Sequence, residues 1–67
     1  MKRITLKAAR VNANMTQLEV CKALQISRQT MVAWEKGRIP IKAVYLDAMC
    51  RLYGVTRDEI FLPESST

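Results

Sequence analysis

Side chains that could bind an anionic partner are concentrated between Arg28 and Lys42. This segment has four basic residues and one acidic residue, so it carries +3 of the formal net charge of +5. Guanidinium and ammonium groups bind phosphate oxygens, and guanidinium and amide groups also form paired hydrogen bonds to the edges of purine bases. The stretch SRQTMVAWEKG, residues 27–37, combines all of these groups. The pattern favours a nucleic acid as the partner.

Residues that other kinds of chemistry need are absent from the sequence. The chain has no histidine, no C-x-x-C pair and no glycine-rich phosphate loop. We therefore expect no catalytic centre, metal site, cofactor or small-molecule ligand, and thus a protein that is not an enzyme. Cys21 and Cys50 both fall within helix-like apolar patterns, which predicts reduced and buried thiols rather than a disulfide.

The length and composition predict one globular domain over residues 1–67. A chain of 67 residues with 49% hydrophobic residues can bury one small core and is too apolar to be a disordered tail. No apolar run approaches the roughly 18 residues that a membrane span needs, and the N-terminal residues lack the apolar region of a secretory signal. We expect a cytoplasmic protein that does not bind a membrane.

Two helices are predicted in the first part of the chain. A short apolar pattern over residues 6–11 ends near Asn14, a residue type that tolerates the left-handed backbone at a helix end. Thr16 and Glu19 have the spacing of a capping box, so a second helix is expected to begin there. The buried stripe predicted for this helix consists of Leu18, Cys21 and Leu24.

A third helix is predicted over residues 28–36. Ser27 is a typical N-terminal cap and Gly37 a typical stop. Met31 and Trp34 are three residues apart and share one side of this helix, so we expect them to anchor it to the core. The polar residues then lie on the opposite face.

A longer helix and a short closing helix complete the prediction. The longer helix has these apolar residues at helical spacing, with Gly54 as its stop: Ile41, Val44, Tyr45, Ala48, Met49 and Leu52. Residues 56–59 form a second capping box, which predicts a helix of one or two turns that contains residues 60–61 and ends at Pro63. The tail, residues 63–67, is expected to be frayed. With no convincing strand pattern, the fold class is all-α, a compact bundle of five short helices.

These motifs together resemble the phage-repressor and Cro-like family, also called the xenobiotic-response-element family. The resemblance covers about residues 6–61 and depends on Thr16-Gln17, Leu24, SRQTMVAWEKG and, at residues 52–61, LYGVTRDEIF. It implies a lambda-repressor-like DNA-binding domain with a helix-turn-helix over about residues 17–36. Gln25 stands where the family has glycine, so a left-handed or strained backbone is expected there, and Cys21 replaces the family's small alanine.

The resemblance also implies a function. It indicates a phage or bacterial transcriptional regulator, most like a Cro protein or repressor, that binds double-stranded DNA with the helix over residues 28–36 in the major groove and acts by occupying an operator. The alternative is a protein-binding module of the same fold, antirepressor-like or antitoxin-like, that acts mainly through a protein partner.

Four residues on the outward face of the third helix are expected to read bases: Arg28, Gln29, Thr30 and Ala33. Arginine can form paired hydrogen bonds to guanine, glutamine can do so to adenine, and alanine or the threonine methyl can pack on a thymine methyl. Val32 is difficult to bury together with Met31 and Trp34, so it is a further candidate for contact with a base methyl. The alternative interpretation of this polar face is ordinary solvated surface.

Five residues around this helix are expected to bind phosphates: Gln17, Ser27, Lys36, Arg38 and Lys42. Helix N-termini and basic or amide side chains supply the donors that phosphate oxygens need, and similar proteins use the glutamine at the place of Gln17 in this way. Glu35 would repel a phosphate unless it is neutralised. The resemblance implies an ion pair with Arg10, and two unrelated surface charges are the alternative.

A homodimer on a pseudo-palindromic operator is expected, because one recognition helix reads only a few base pairs. Its interface is predicted from apolar residues that the core could leave exposed: Ile60, Phe61 and Leu62, with Leu46 and Cys50 as a second stripe. The alternative places Ile60 and Phe61 in the core. Such an interface would be small, so the dimer is expected to be weak without DNA.

Overall fold

The computed structural model describes residues 3–62, and this part of the chain contains four α-helices and one pair of short strands. In chain order the elements are β1 (Ile4–Thr5), α1 (Leu6–Asn12), α2 (Gln17–Leu24), α3 (Arg28–Lys36), α4 (Ala43–Tyr53), a single 3-10 turn (Arg57–Glu59) and β2 (Ile60–Phe61). The expected fraying of residues 63–67 lies outside the described residues.

The prediction of five helices and no strands was wrong at both ends of the domain. The capping box at Thr56 is present, with its backbone N–H donating to Oε1 of Glu59 at 2.8 Å, but it opens only the 3-10 turn. The chain then becomes extended at Ile60, and β2 pairs in parallel with β1, Ile4 opposite Ile60. Pro63 follows within four residues of the turn, which leaves too little chain for another helix and favours extended backbone before it.

Local hydrogen bonds begin α1 at Thr5, which the sequence pattern did not single out, and begin α2 at Thr16, as predicted. Thr5 Oγ1 accepts from the backbone N–H of Ala8 at 3.0 Å, and Thr16 Oγ1 accepts from that of Glu19 at 3.1 Å. Gln25 ends α2 with a left-handed backbone, at φ 56° and ψ 48°. The turn that joins α2 to α3 therefore forms with glutamine in place of the glycine that the resemblance implies, at some cost in backbone strain.

The core lies between α1, α2, α3 and α4 and includes β2. Its buried apolar residues are Leu6, Ala9, Val20, Cys21, Met31, Trp34, Leu46, Met49, Cys50, Tyr53 and Ile60. Both cysteines lie there as free thiols. Within the described residues, no helix is long and apolar enough to cross a membrane.

The buried stripe of α2 differs from the prediction. Val20 is fully buried, whereas Leu18 is 51% exposed. Val20, Cys21 and Leu24 lie on one side of the helix, and Leu18 is rotated away from that side by the helical repeat. Three further residues of the predicted apolar patterns are also exposed: Val11, Val44 and Leu52.

Candidate nucleic-acid interface

Two large side chains fix the rotation of α3 about its own axis. Met31 is fully buried and Trp34 is 6% exposed. The ring of Trp34 packs against that of Tyr45 on α4, with centroids 5.1 Å apart and planes inclined by 42°. The opposite side of α3 must therefore face outward, and there Arg28 and Gln29 are exposed while Val32 and Ala33 are half-buried.

The N-terminus of α3 is closed by Ser27. Its hydroxyl accepts from the backbone N–H of Thr30 at 3.1 Å and donates to the Thr30 hydroxyl oxygen at 2.9 Å. The hydroxyl hydrogen of Ser27 is thus used within the protein, whereas that of Thr30 is available for a ligand. A phosphate contact from Ser27 would have to come from its backbone rather than its side chain.

The C-terminus of α3 brings Arg38 back beside the helix. Gly37 has a left-handed backbone, with φ 73°, and its N–H donates to the Trp34 carbonyl at 3.2 Å. The N–H of Arg38 donates to the Ala33 carbonyl at 2.9 Å, which completes a Schellman motif. An open depression of about 270 Å³ results, and we call it the α3 notch; it is lined by Arg28, Gln29, Val32, Ala33 and Arg38.

A second depression, of about 370 Å³, lies between the turn before α3 and the loop after it. It is lined by Gln25, Ile26, Thr30, Trp34, Ile39, Pro40, Lys42 and Tyr45. The structure thus brings Lys42, at the N-terminus of α4, to the same depression as Thr30. Lys36 is exposed in the last turn of α3.

Arg10 and Glu35, the residues expected to pair, are joined in the structure. Arg10 Nε donates to Glu35 Oε2 at 2.8 Å, and the side chains of the two residues are only 10% and 5% exposed. Arg10 also donates from Nη1 to the Met15 carbonyl at 2.9 Å. The charge of Glu35 is therefore neutralised inside the protein and does not oppose the approach of a phosphate to α3.

Gln17 is part of the same network. Its Nε2 donates to Glu35 Oε1 at 2.9 Å, and its Oε1 accepts from Arg28 Nε at 3.4 Å. The orientation of the amide follows from its chemistry, because a carboxylate can only accept and a guanidinium can only donate. The sequence pattern did not predict this link, and a phosphate contact by the same amide stays a prediction.

Three of the five residues predicted for a dimer interface are core residues instead. Leu46, Cys50 and Ile60 are only 2%, 5% and 6% exposed, so they pack within one chain and offer no surface to a second one. The pairing of β2 with β1 turns Ile60 inward. Phe61 and Leu62 remain exposed, at 49% and 36%.

The described residues hold no cluster of three or more side chains that could bind a metal ion.

The comparisons with known proteins identify a family. Residues 3–60 match the family described as a helix-turn-helix domain. The chain is 36% identical over 59 residues to an uncharacterized HTH-type transcriptional regulator of Methanocaldococcus jannaschii, and the match covers 88% of this chain and 89% of that protein. No solved structure matches the chain at a significant level.

Proposed function

Because this chain belongs to the helix-turn-helix domain family and its archaeal relative is an HTH-type transcriptional regulator, we propose that it regulates transcription by sequence-specific binding of double-stranded DNA. In this proposal α3 enters the major groove, whose width of about 12 Å accommodates one helix. The observation that carries the proposal is the anchoring of α3 by Met31 and Trp34, which leaves Arg28, Gln29 and Ala33 facing outward.

Base reading is assigned to the outward residues of α3. Arg28 is suited to guanine and Gln29 to adenine, because each can form two hydrogen bonds to the major-groove edge of that base. Both side chains are exposed, and neither is held by a carboxylate in the described structure. Thr30 has a hydroxyl hydrogen to donate, and Ala33 permits close approach of the helix to the bases.

Phosphate binding is assigned to the residues around α3. Arg38 and Lys42 are exposed on either side of the loop between α3 and α4, and Lys36 precedes them in the last turn of α3. The neutralisation of Glu35 by Arg10 leaves this region with a positive potential. Such contacts fix the register of a protein on DNA without reading its sequence.

We propose that regulation works by occupancy of the bound site. A helix in the major groove excludes other proteins from the same base pairs, so a Cro-like repressor need only bind its operator. We further propose that two copies bind a pseudo-palindromic operator, because two recognition helices one helical turn apart supply the specificity that one short helix lacks. Of the five residues predicted for that contact, Phe61 and Leu62 are the two that remain exposed.

The test is selection of bound sites from random double-stranded DNA, followed by titration of the enriched site and a scrambled site at two salt concentrations. Specific binding should exceed non-specific binding by at least about 1000-fold. Gln29→Ala should weaken the enriched site alone, by about 1 to 3 kcal/mol. No enrichment, together with salt-independent capture of a protein partner, would favour the protein-binding alternative.

A further inference from the structure

The lining of the α3 notch combines apolar and guanidinium side chains. Val32 and Ala33 supply the apolar part, which we call the floor, and Arg28, Gln29 and Arg38 line the notch as well. Val32 does not belong to the hydrophobic core, although it is half-buried. The apolar surface of this side chain is therefore left over from folding, on the face of the helix that the proposed function directs at DNA.

The local geometry explains why the floor is concave. Residues 28, 29, 32 and 33 form a four-residue patch on one face of α3, with the long side chains in the first turn and the short ones in the second. Arg38 reaches the notch because the Schellman motif returns the chain to Ala33. The notch is thus built by two separate segments of the chain.

The chemistry of the major groove limits what can occupy such a notch. Base edges there present hydrogen-bond donors and acceptors, and the one apolar group is the methyl on C5 of thymine. Methylated cytosine carries a methyl at the same position. A polar base edge against Val32 would lose its hydrogen bonds to water without forming new ones, which is unfavourable. Transfer of a methyl group out of water to the same place lowers the free energy.

We infer that the α3 notch binds the C5-methyl group of a pyrimidine in the operator, and that Val32 is a specificity-determining residue. The inference rests on the proposed function, since it needs α3 in the major groove. Arg28, which lines the same notch and is assigned to guanine, places a guanine next to the methylated pyrimidine in the proposed site. Thymine and 5-methylcytosine share this chemistry, and the chain distinguishes both from unmodified cytosine and from uracil.

The experiment removes the methyl group alone. In the enriched DNA site, each thymine is replaced in turn by deoxyuridine, and affinity is measured by fluorescence anisotropy. At one thymine position in each half-site, the replacement should lower the affinity about four-fold, which is the effect expected when one methyl group is no longer buried. With cytosine at that position, addition of the 5-methyl group should raise the affinity by a similar factor, because only the methyl group differs between the two bases.

Two variants assign the effect to the notch. Val32→Ala should reduce the difference between thymine and uracil at that position to less than two-fold, and thermal melting should show that it folds. Val11→Ala is the matched control, because Val11 is 54% exposed on α1, and it should keep the full difference.

The outcomes separate this inference from the proposed function. An enriched site that tolerates uracil at every thymine and shows no response to methylation of any cytosine overturns the inference, while sequence-specific binding stands. A methyl effect that persists unchanged in Val32→Ala overturns it as well. Failure to enrich any site would count against the proposed function itself.

Discussion

Gln17 holds the carboxylate of Glu35 through its side-chain amide, with Nε2 2.9 Å from Oε1. The other end of the same amide accepts from Arg28. A buried, neutralised carboxylate is thereby linked to a side chain on the proposed reading face. From this relationship we expect Gln17 to position Arg28, which differs from the phosphate contact that its place in the sequence suggests.

A double-mutant cycle distinguishes the two roles of Gln17. If Gln17 positions Arg28, Gln17→Ala should weaken the preferred DNA site by about 1 kcal/mol, the value of one hydrogen bond, and reduce discrimination at the base pair that Arg28 reads. In an Arg28→Ala background the same change should have little effect, because the positioned group is gone. An equal loss in both backgrounds, on specific and random DNA alike, would instead support a phosphate contact.

The ion pair between Arg10 and Glu35 should be important for stability. Glu35→Gln leaves the Arg10 guanidinium buried without its counter-charge, so we expect the free energy of unfolding in urea to fall by about 3 kcal/mol or more. Asp47→Asn is the matched control, because Asp47 is exposed on α4, and it should change stability by less than about 0.5 kcal/mol. If both variants unfold alike, the pair contributes nothing.

Arg38 should make a phosphate contact whose loss shows in the salt dependence of DNA binding. Arg38→Ala should lower the slope of log K against log salt by roughly one unit on both specific and random DNA, since each neutralised phosphate contributes about that much. Arg51→Ala removes the same charge in the last turn of α4, away from the α3 notch, and should leave the slope nearly unchanged. Equal slopes for Arg38→Ala and the parent would remove Arg38 from the interface.

The exposed apolar residues after the 3-10 turn should support pairing of two chains on DNA. Sedimentation with a palindromic site should show two copies bound for the parent and one for Leu62→Glu, because a carboxylate cannot be buried in a small apolar contact without a partner. Leu52→Glu introduces the same charge at a leucine of similar exposure on α4, 37% against 36%, and should still bind as a pair. One copy per site for the parent would contradict the dimer.

The Tyr53 hydroxyl is buried without a hydrogen-bond partner among the described residues. Tyr53→Phe removes this unsatisfied group and should raise the free energy of unfolding by about 1 kcal/mol, seen as a rise of about 4 to 8 °C in Tm. Tyr45→Phe, at a half-buried tyrosine, should change Tm less. A lower Tm for Tyr53→Phe would mean that the hydroxyl has a partner in solution.

The same tyrosine gives a pH dependence with a defined sign. Burial, with a further contribution from the charge of Glu35, raises the pKa of Tyr53 in the folded chain. An unfolded tyrosine ionises near pH 10, so its contribution to stability is complete below about pH 10 and is lost as the pH rises further. Urea titrations should therefore show the advantage of Tyr53→Phe over the parent growing above pH 10. A constant difference would contradict this.

Much of the helix-turn-helix is determined by residues that act on their immediate neighbours. Ser27 caps α3, Gly37 ends it, and Thr16 with Glu19 begins α2, because each of these bonds closes within three or four residues. The spacing of Met31 and Trp34 set the rotation of α3, since few other side chains on this helix are large and apolar. The outward position of Arg28, Gln29 and Ala33 could therefore be predicted from the sequence alone, whereas Thr30, predicted for the same face, lies at the second depression.

What only the tertiary structure decided involves residues far apart in the chain. Ile60 joins a strand because Ile4 is available to pair with it, and the local capping box at Thr56 gives no sign of that partner. Leu18 and Val20 are similar in hydropathy, so the packing of α2 against its neighbours determined which one is buried. Gln17 meets Glu35 across 18 residues of sequence, through the crossing of α2 and α3. Such contacts depend on the angles between helices, which local bonding and apolar spacing do not specify.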